Sequence, residues 1–264
     1  MKIIVCIKQV PEDNSGSLDM ESGLMLRPEA GGIINPEDRN ALEAALLLGE
    51  EYGAESLVVS MGPESSKEAL KEALTMGIDR GILVSDERLR GADSLITARV
   101  LARTLEKIQD YCLILIGSQS SDGNTGQLGP KLAELLDLPH ISQARELDLA
   151  GGKVRVRSYS DHGDYLIESR LPALLTVTKD LNSPRYPLME NILRVYSQEE
   201  ELIKLWDLDD LGLSPEEFGG QASAVSLRRT FIPEGQKTAQ LMEGRTVREK
   251  TDALVDRLSR LNIV

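Results

Sequence analysis

The sequence predicts an α/β protein built on a parallel sheet, and three observations lead there. Short apolar runs without polar alternation recur, among them "KIIVCIK", "ESLVVSMG", "DRGILVSD" and "YCLILIG"; strands buried on both faces read this way. Amphipathic helical segments lie between these runs, so successive strands connect by right-handed crossovers and run parallel. Apolar residues make up 41% of the 264 and aromatics only 3%. The core is therefore aliphatic, and global disorder is disfavoured.

The elements follow in order. "KIIVCIK" (2–8) is the first buried strand, and a Gly/Pro/Asp-rich loop runs from it to about Ile34. "NPEDRNALEAALLLGEEYG" opens with a strong helix start: Asn35 as N-cap, Pro36 at the first helical position, Glu37 and Asp38 in the first turn. Leu42, Ala45, Leu46 and Gly49 form its apolar face, and Gly53 ends it. "ESLVVSMG" is a strand, Pro63 to Gly77 a helix, and "DRGILVSD" a third strand. "DSLITARVLARTLEKIQ" is a helix whose stripe is marked by Leu95, Ala98 or Arg99, Ala102 and Leu105. "YCLILIG" is the fourth strand, with "TGQLGPKLAELLD" as its helix.

After Pro139 the pattern changes. "ISQARELDL", "KVRVRSYS" and "GDYLIESR" alternate polar and apolar residues, as an antiparallel extension with one wet face does. "PALLTVTK" returns to a buried strand, and "DLNSPRYPLMENILR" is turn-rich, then helical. From about Ser197 the β/α rhythm is lost. "WDLDDLGLSPEEFGG" is irregular, and "TVREKTDALVDRLSRLNIV" is an amphipathic helix striped by Leu254, Leu258 and Leu261. The division expected is an α/β domain over 1–196 and a tail over 197–264. By pattern alone the tail either reaches onto another subunit or wraps its own domain.

Charge and composition narrow the function. A formal net charge of −13 repels nucleic acid and anionic membranes. The apolar runs are too short for a membrane span or signal peptide, so a cytoplasmic location without membrane insertion is expected. Cys6 and Cys112 sit in apolar runs and read as packed, reduced thiols. His140 and His162 are isolated, and no metal-binding spacing occurs.

Ligands of open parallel sheets lie beyond the C-terminal strand ends, where strand order reverses. Cys6, Ile7 and Lys8 fall there, as do Met61, Gly62 and the stretch from Gly117 to Gln127. That stretch, "GSQSSDGNTGQ", is longer and more polar than a plain connection needs. Small residues at a helix start admit a phosphate. Asn124 and Thr125 add hydrogen bonds, and Asp122 suits a helix cap or a sugar hydroxyl better than a phosphate. G-x-G-x-x-G, P-loop and nucleophile-elbow motifs are absent, and no titratable set converges for acid/base catalysis. Nucleotide binding is the expectation against an elaborate polar turn. A nucleotide-binding stress or sensor protein is the reading from a different class.

The chain resembles the beta subunit of electron transfer flavoproteins. The resemblance is carried, in order, by "VCIKQVP", "NPEDRNALEAALLL", "VVSMGPESSKEALKEALTMGIDRGILV", "LILIGSQSSDGNTGQLGPKLAELL" and "LPALLTVTKDLNSPRYPLMENI". It implies an adenine-nucleotide alpha-hydrolase-like fold, a Rossmann-like three-layer arrangement, with an antiparallel extension and a C-terminal arm on an alpha subunit. That subunit would carry FAD, and this chain either a second FAD or AMP. The implied contacts are Cys6 with Ile7, Asn35 to Asp38, Met61 with Gly62, and the 119–128 loop, with Gln119, Ser121, Asp122, Gly123, Asn124, Thr125, Gly126 and Gln127.

Two motifs favour FAD within the resemblance. "SDGNTGQLGP" is similar to the short turn D-G-D-T-A-Q-V-G-P of electron-bifurcating members, departing at Asn124 and Gly126. "GADSLITARVLA" is similar to their G-A-D-T-x-x-T-A-x-x-L-A, which implies that Asp93, Ser94 and Thr97 start a helix facing a flavin. AMP-type subunits carry a longer turn. "NSPRYPLMENILR" corresponds to the family's recognition loop for acyl-CoA or related dehydrogenases. Leu188 and Met189 form its apolar anchor, Arg185 and Tyr186 precede it, and Arg194 is the basic position after it.

Overall fold

The computed structural model describes residues 1–12, 32–225 and 239–263. The chain divides into two compact units, Met1–Arg228 and Arg229–Val264.

In the first unit, β1 (Lys2–Ile7) is central. It pairs in parallel with β4 (Glu55–Met61) on one side and β6 (Leu113–Gly117) on the other. Between β1 and the next helix lie β2 (Gln9–Pro11) and β3 (Gly32–Ile34), a small antiparallel ribbon. The sequence there suggested only loop, because three-residue strands carry no readable period. Helix α1 (Pro36–Tyr52) closes on Gly53, whose φ of 64° lets its N–H reach the Gly49 carbonyl.

Helix α2 (Lys67–Met76) leads to β5 (Arg80–Val84), and α3 (Ser94–Ile108) crosses back to β6. Helix α4 (Leu128–Leu135) then leads to β7 (His140–Ala150), β8 (Lys153–Ser160), β9 (Gly163–Arg170) and β10 (Ala173–Val177). Helices α5 (Met189–Ser197) and α6 (Glu199–Leu202) precede β11 (Ile203–Trp206).

All but the ribbon join one nine-stranded sheet, ordered β11-β5-β4-β1-β6-β10-β7-β8-β9. The antiparallel extension is continuous with it. The start of β7 runs parallel to β10, and its later residues pair antiparallel with β8. Val154, Val156 and Ser158 turn inward from β8, whereas the edge strand β9 is exposed on both faces except at Ser169.

Period-2 geometry sends the two sides of β1 into different layers. Ile3, Val5 and Ile7 pack with α1, α2 and Val195 of α5. Ile4 and Cys6 pack with Leu101, Leu105 and Leu132 of α3 and α4. Helix α1 is buried beyond its expected face, because the chain over 182–185 covers its far side. Asn40 bonds Asn182 there, and Glu43 bonds Arg185.

Residues 197–225 belong to this unit. Strand β11 pairs in parallel with β5, Ile203 opposite Gly81. Leu208, Leu213 and Phe218, the last in α7 (Pro215–Phe218), form a third apolar cluster with Val84, Ile96 and Val100. That cluster draws α3 toward Ile96, so Leu95 of the expected stripe is left 39% exposed.

In the second unit, α8 (Val247–Arg260) opens on a capping arrangement. The Thr246 hydroxyl accepts the Glu249 N–H, and the Glu249 carboxylate accepts the Arg245 N–H. None of the helix residues is buried. Among the described residues, no helix is long and apolar enough to cross a membrane.

Candidate functional site

The strand order reverses at β1, which leads to β4 on one side and has β6 on the other. A crevice beyond their C-terminal ends follows from this topology. The sequence places Lys8, Met61 and the turn after Gly117 there.

Asp38 holds the two central strand ends together. Its carboxylate accepts the Lys8 N–H at 2.7 Å and the Gly117 N–H at 2.9 Å. Gly117 is required at this approach, since a Cβ would lie 2.4 Å from Asp38 Oδ1. Burial pushes the Asp38 carboxyl up to about 7, although these backbone N–H groups oppose the shift. Cys6 is buried behind it; burial, then the Asp38 charge, pushes its thiol up to about 12.

The same helix start shapes the polar turn. Asn35 does not cap α1 with its side chain. Its amide donates to the Gln119 carbonyl at 2.9 Å and its oxygen accepts the Ser121 N–H at 3.0 Å. Glu37 accepts the Ser118 hydroxyl at 2.5 Å and the Gln119 N–H at 2.9 Å. Lys8 Nζ reaches Asp122 at 2.7 Å, and Asp122 accepts the Gly123 N–H. Asn124 has φ 51° and Gly126 φ 62°, left-handed values that turn the chain toward α4. Residues 123–127 are exposed, so the braced base of the turn presents an open rim.

A second cluster lies where α3 and α4 begin. Asp93 caps α3, accepting the Leu95 and Ile96 N–H groups at 2.9 Å, and Thr97 donates its N–H to the Asp93 carbonyl. The later chain is tied to the same residue. The Asp93 N–H donates to Ser223 Oγ, and the Val225 N–H donates to the Asp93 carboxylate. Burial raises the Asp93 carboxyl, but the backbone donors outweigh it and hold it below the usual carboxylate range. Lys131 Nζ donates to Ser94 Oγ at 2.7 Å and to Gln127 Oε1 at 2.8 Å.

Asn35, Asp38, Gln119, Ser121 and Asp122 thus share one network, and Ser94 and Gln127 another. The side chains of Cys6 and Ile7 lie in the core, on opposite sides of the sheet. Met61 packs partly against two apolar clusters, and the Gly62 N–H bonds the Val84 carbonyl. Lys8 and Glu37 fall within segments that the sequence placed at the site, whereas Lys131 was not singled out. Glu37 reads as an ordinary first-turn acid. Lys131 was legible only as the i+4 neighbour of Gln127. A polar cleft of about 330 Å³ borders the turn, lined by Ser118, Gln119, Gly126, Arg145, Tyr159 and Thr176 among others.

The segment before α5 lies elsewhere on the unit. Arg185 is pinned inward, bonding Glu43 at 2.9 Å and also Glu50. Arg194 likewise faces inward, donating to the Ile78 carbonyl at 3.3 Å. Tyr186 is 90% exposed, Leu188 48% and Met189 71%. Leu193 and Tyr196, which sequence reading passed over, are also exposed. With Met189 they follow i, i+4, i+7 spacing and form one stripe of α5.

A mostly parallel sheet between two helical layers, with a braced polar turn at its reversal point, defines a Rossmann-like α/β protein. A family model described as "Electron transfer flavoprotein domain" matches residues 23–207. The chain belongs to this family and is of the beta-subunit type. It is 38% identical to the Caffeyl-CoA reductase-Etf complex subunit CarD of Acetobacterium woodii, over 100% of both chains. It is 37% identical, again over 100% of both, to an electron transfer flavoprotein subunit beta of Thermoanaerobacterium thermosaccharolyticum. A third relative, 32% identical over 100% of both chains, is the acryloyl-CoA reductase electron transfer subunit gamma of Anaerotignum propionicum.

Proposed function

We propose that this protein is the beta subunit of a heterodimeric electron transfer flavoprotein and holds FAD at the reversal point of its sheet. The observation that carries the reading is the polar turn over 118–127. Asn35 and Glu37 brace its base, and its rim is left open. The donor set fits an adenine nucleotide: hydroxyl and amide groups at Thr125, Asn124 and Gln127, small residues at Gly123 and Gly126, and Lys131 nearby. The bound flavin would supply the electron-transfer chemistry. The chain's own groups hold the phosphates and ribose, exclude side reactions and fix orientation.

FAD is preferred to AMP because the short "SDGNTGQLGP" turn and "GADSLITARVLA" resemble the two-flavin group. The same resemblance extends the proposal to flavin-based electron bifurcation by the whole complex. The partner is an alpha subunit carrying its own FAD. The Leu254, Leu258 and Leu261 stripe of the terminal segment is the surface offered to it. The exposed Leu188–Met189 knob, widened by Leu193 and Tyr196, is the docking surface for an acyl-CoA or related dehydrogenase.

The test is co-expression with the alpha subunit, followed by absorption spectroscopy and chromatography of the extracted cofactors. Two FAD per heterodimer is the expected result. One FAD with one AMP would replace the two-flavin reading. No nucleotide attributable to this subunit would overturn the site.

A further inference from the structure

We propose that Lys131 is the anion-recognition residue of this site, drawing the phosphate end of a bound nucleotide to the junction of α3 and α4 rather than over Lys8. The inference rests on the nucleotide site proposed above and assigns its charged subsite.

Two lysines bonded to the turn, Lys8 and Lys131, differ in their partners. Lys8 is paired with the Asp122 carboxylate at 2.7 Å, and that carboxylate is only 9% exposed. Glu37 adds a second carboxylate on the same side, bonded to Ser118 and Gln119. An incoming phosphate there meets a neutralised lysine and like charge. Lys131 has neutral partners instead, the Ser94 hydroxyl and the Gln127 amide oxygen. These orient the ammonium group without cancelling its charge. An ammonium group has three N–H donors, and the two bonds leave one for an oxyanion.

The placement strengthens the case. Ser94 is the first residue of α3, and Gln127 immediately precedes α4. Lys131 therefore spans two helix starts, each carrying partial positive charge. Asp93 is the nearby counter-charge, but its carboxylate is turned onto the Leu95, Ile96 and Val225 N–H groups. The chemistry recognised is a phosphoryl oxygen, whether of a mononucleotide or of the diphosphate of a dinucleotide.

The experiment uses the full-length protein, K131M and K131R, titrated with AMP, FAD and adenosine by calorimetry. Thermal unfolding of each variant verifies the fold. Removing a charge-assisted hydrogen bond should weaken a phosphate-bearing ligand by about tenfold to a hundredfold. Adenosine, without phosphate, should bind K131M as it binds wild type, and K131R should recover most of the loss. The larger loss with FAD assigns Lys131 to a diphosphate, and an equal loss with AMP to a single phosphate. Unchanged AMP and FAD affinity in K131M would overturn the proposal. So would an equal loss of adenosine, which marks a structural role. A wild type that binds none of the three would instead refute the nucleotide site itself.

Discussion

Asp122 receives the ammonium group of Lys8 at 2.7 Å, tying the turn after β6 to the end of β1 across 114 residues. Burial raises the Asp122 carboxyl, but the hydrogen bond and charge of Lys8 outweigh it, so it lies below the usual carboxylate range. A depressed folded pKa gives stability that is present above the unfolded pKa and lost as pH falls through the folded one. Asp122→Asn should therefore lower stability at neutral pH and flatten the acid limb of the stability profile. The loss should be about 1 kcal/mol, since Lys8 is partly solvated and the pair is screened. Urea unfolding at a series of acidic pH values measures both.

Asp38 should titrate with the opposite sign. Its folded value of about 7 lies above the ordinary 3.8. The protonated form is favoured by folding, so its contribution is full below the unfolded pKa and is lost as pH rises through the folded one. Asp38→Asn should remove the pH dependence between about 4 and 7. It should also cost about 1–3 kcal/mol, because either the Lys8 or the Gly117 N–H would face an amide NH₂. Denaturant midpoints across that range, for wild type and variant, check the slope and the offset.

On α5, Met189→Asp combined with Leu193→Asp should slow electron exchange with the partner dehydrogenase. An unpaired carboxylate in a desolvated contact costs a few kcal/mol. Val195, which anchors the helix to the core, is untouched by these changes. Cofactor content and heterodimer assembly should stay normal. Stopped-flow reduction by the dehydrogenase should fall while reduction by a small chemical reductant holds; a loss with both would place the damage at the flavin.

Ending the chain at Arg228 should abolish co-purification with the alpha subunit while leaving the first unit folded. The cut removes the leucine stripe of α8 and spares β11 and the cluster around Phe218. Size-exclusion chromatography of the co-expressed pair reads the first outcome and circular dichroism the second. A cut before Trp206 is a poorer test, since it removes Leu208, Leu213 and Phe218 from beside Ile96.

The parallel strands and their helices were legible because each apolar run is long enough to show its period. The ribbon at Gln9–Pro11 and the strand Ile203–Trp206 were not, being three and four residues long and defined only by distant partners. The polar turn announced itself by composition. What composition cannot express is direction: Asn35 looked like a cap for its own helix, yet its side chain serves a loop more than eighty residues later. Arg185 and Arg194 entered only as positions of the implied recognition loop, because their buried partners, Glu43 and the Ile78 carbonyl, are remote in sequence.

The pairing of Ile203–Trp206 with Gly81–Val84 sets a timetable for synthesis. Strand β5 leaves the ribosome long before the strand that covers its edge. At about 5–20 residues per second, the interval between residues 81 and 203 is roughly 6–25 s. Throughout it, the apolar Ile82, Leu83 and Val84 offer bare backbone donors and acceptors to any neighbouring nascent chain. The wait of a finished strand for its last neighbour is thus a step of synthesis exposed to misassociation.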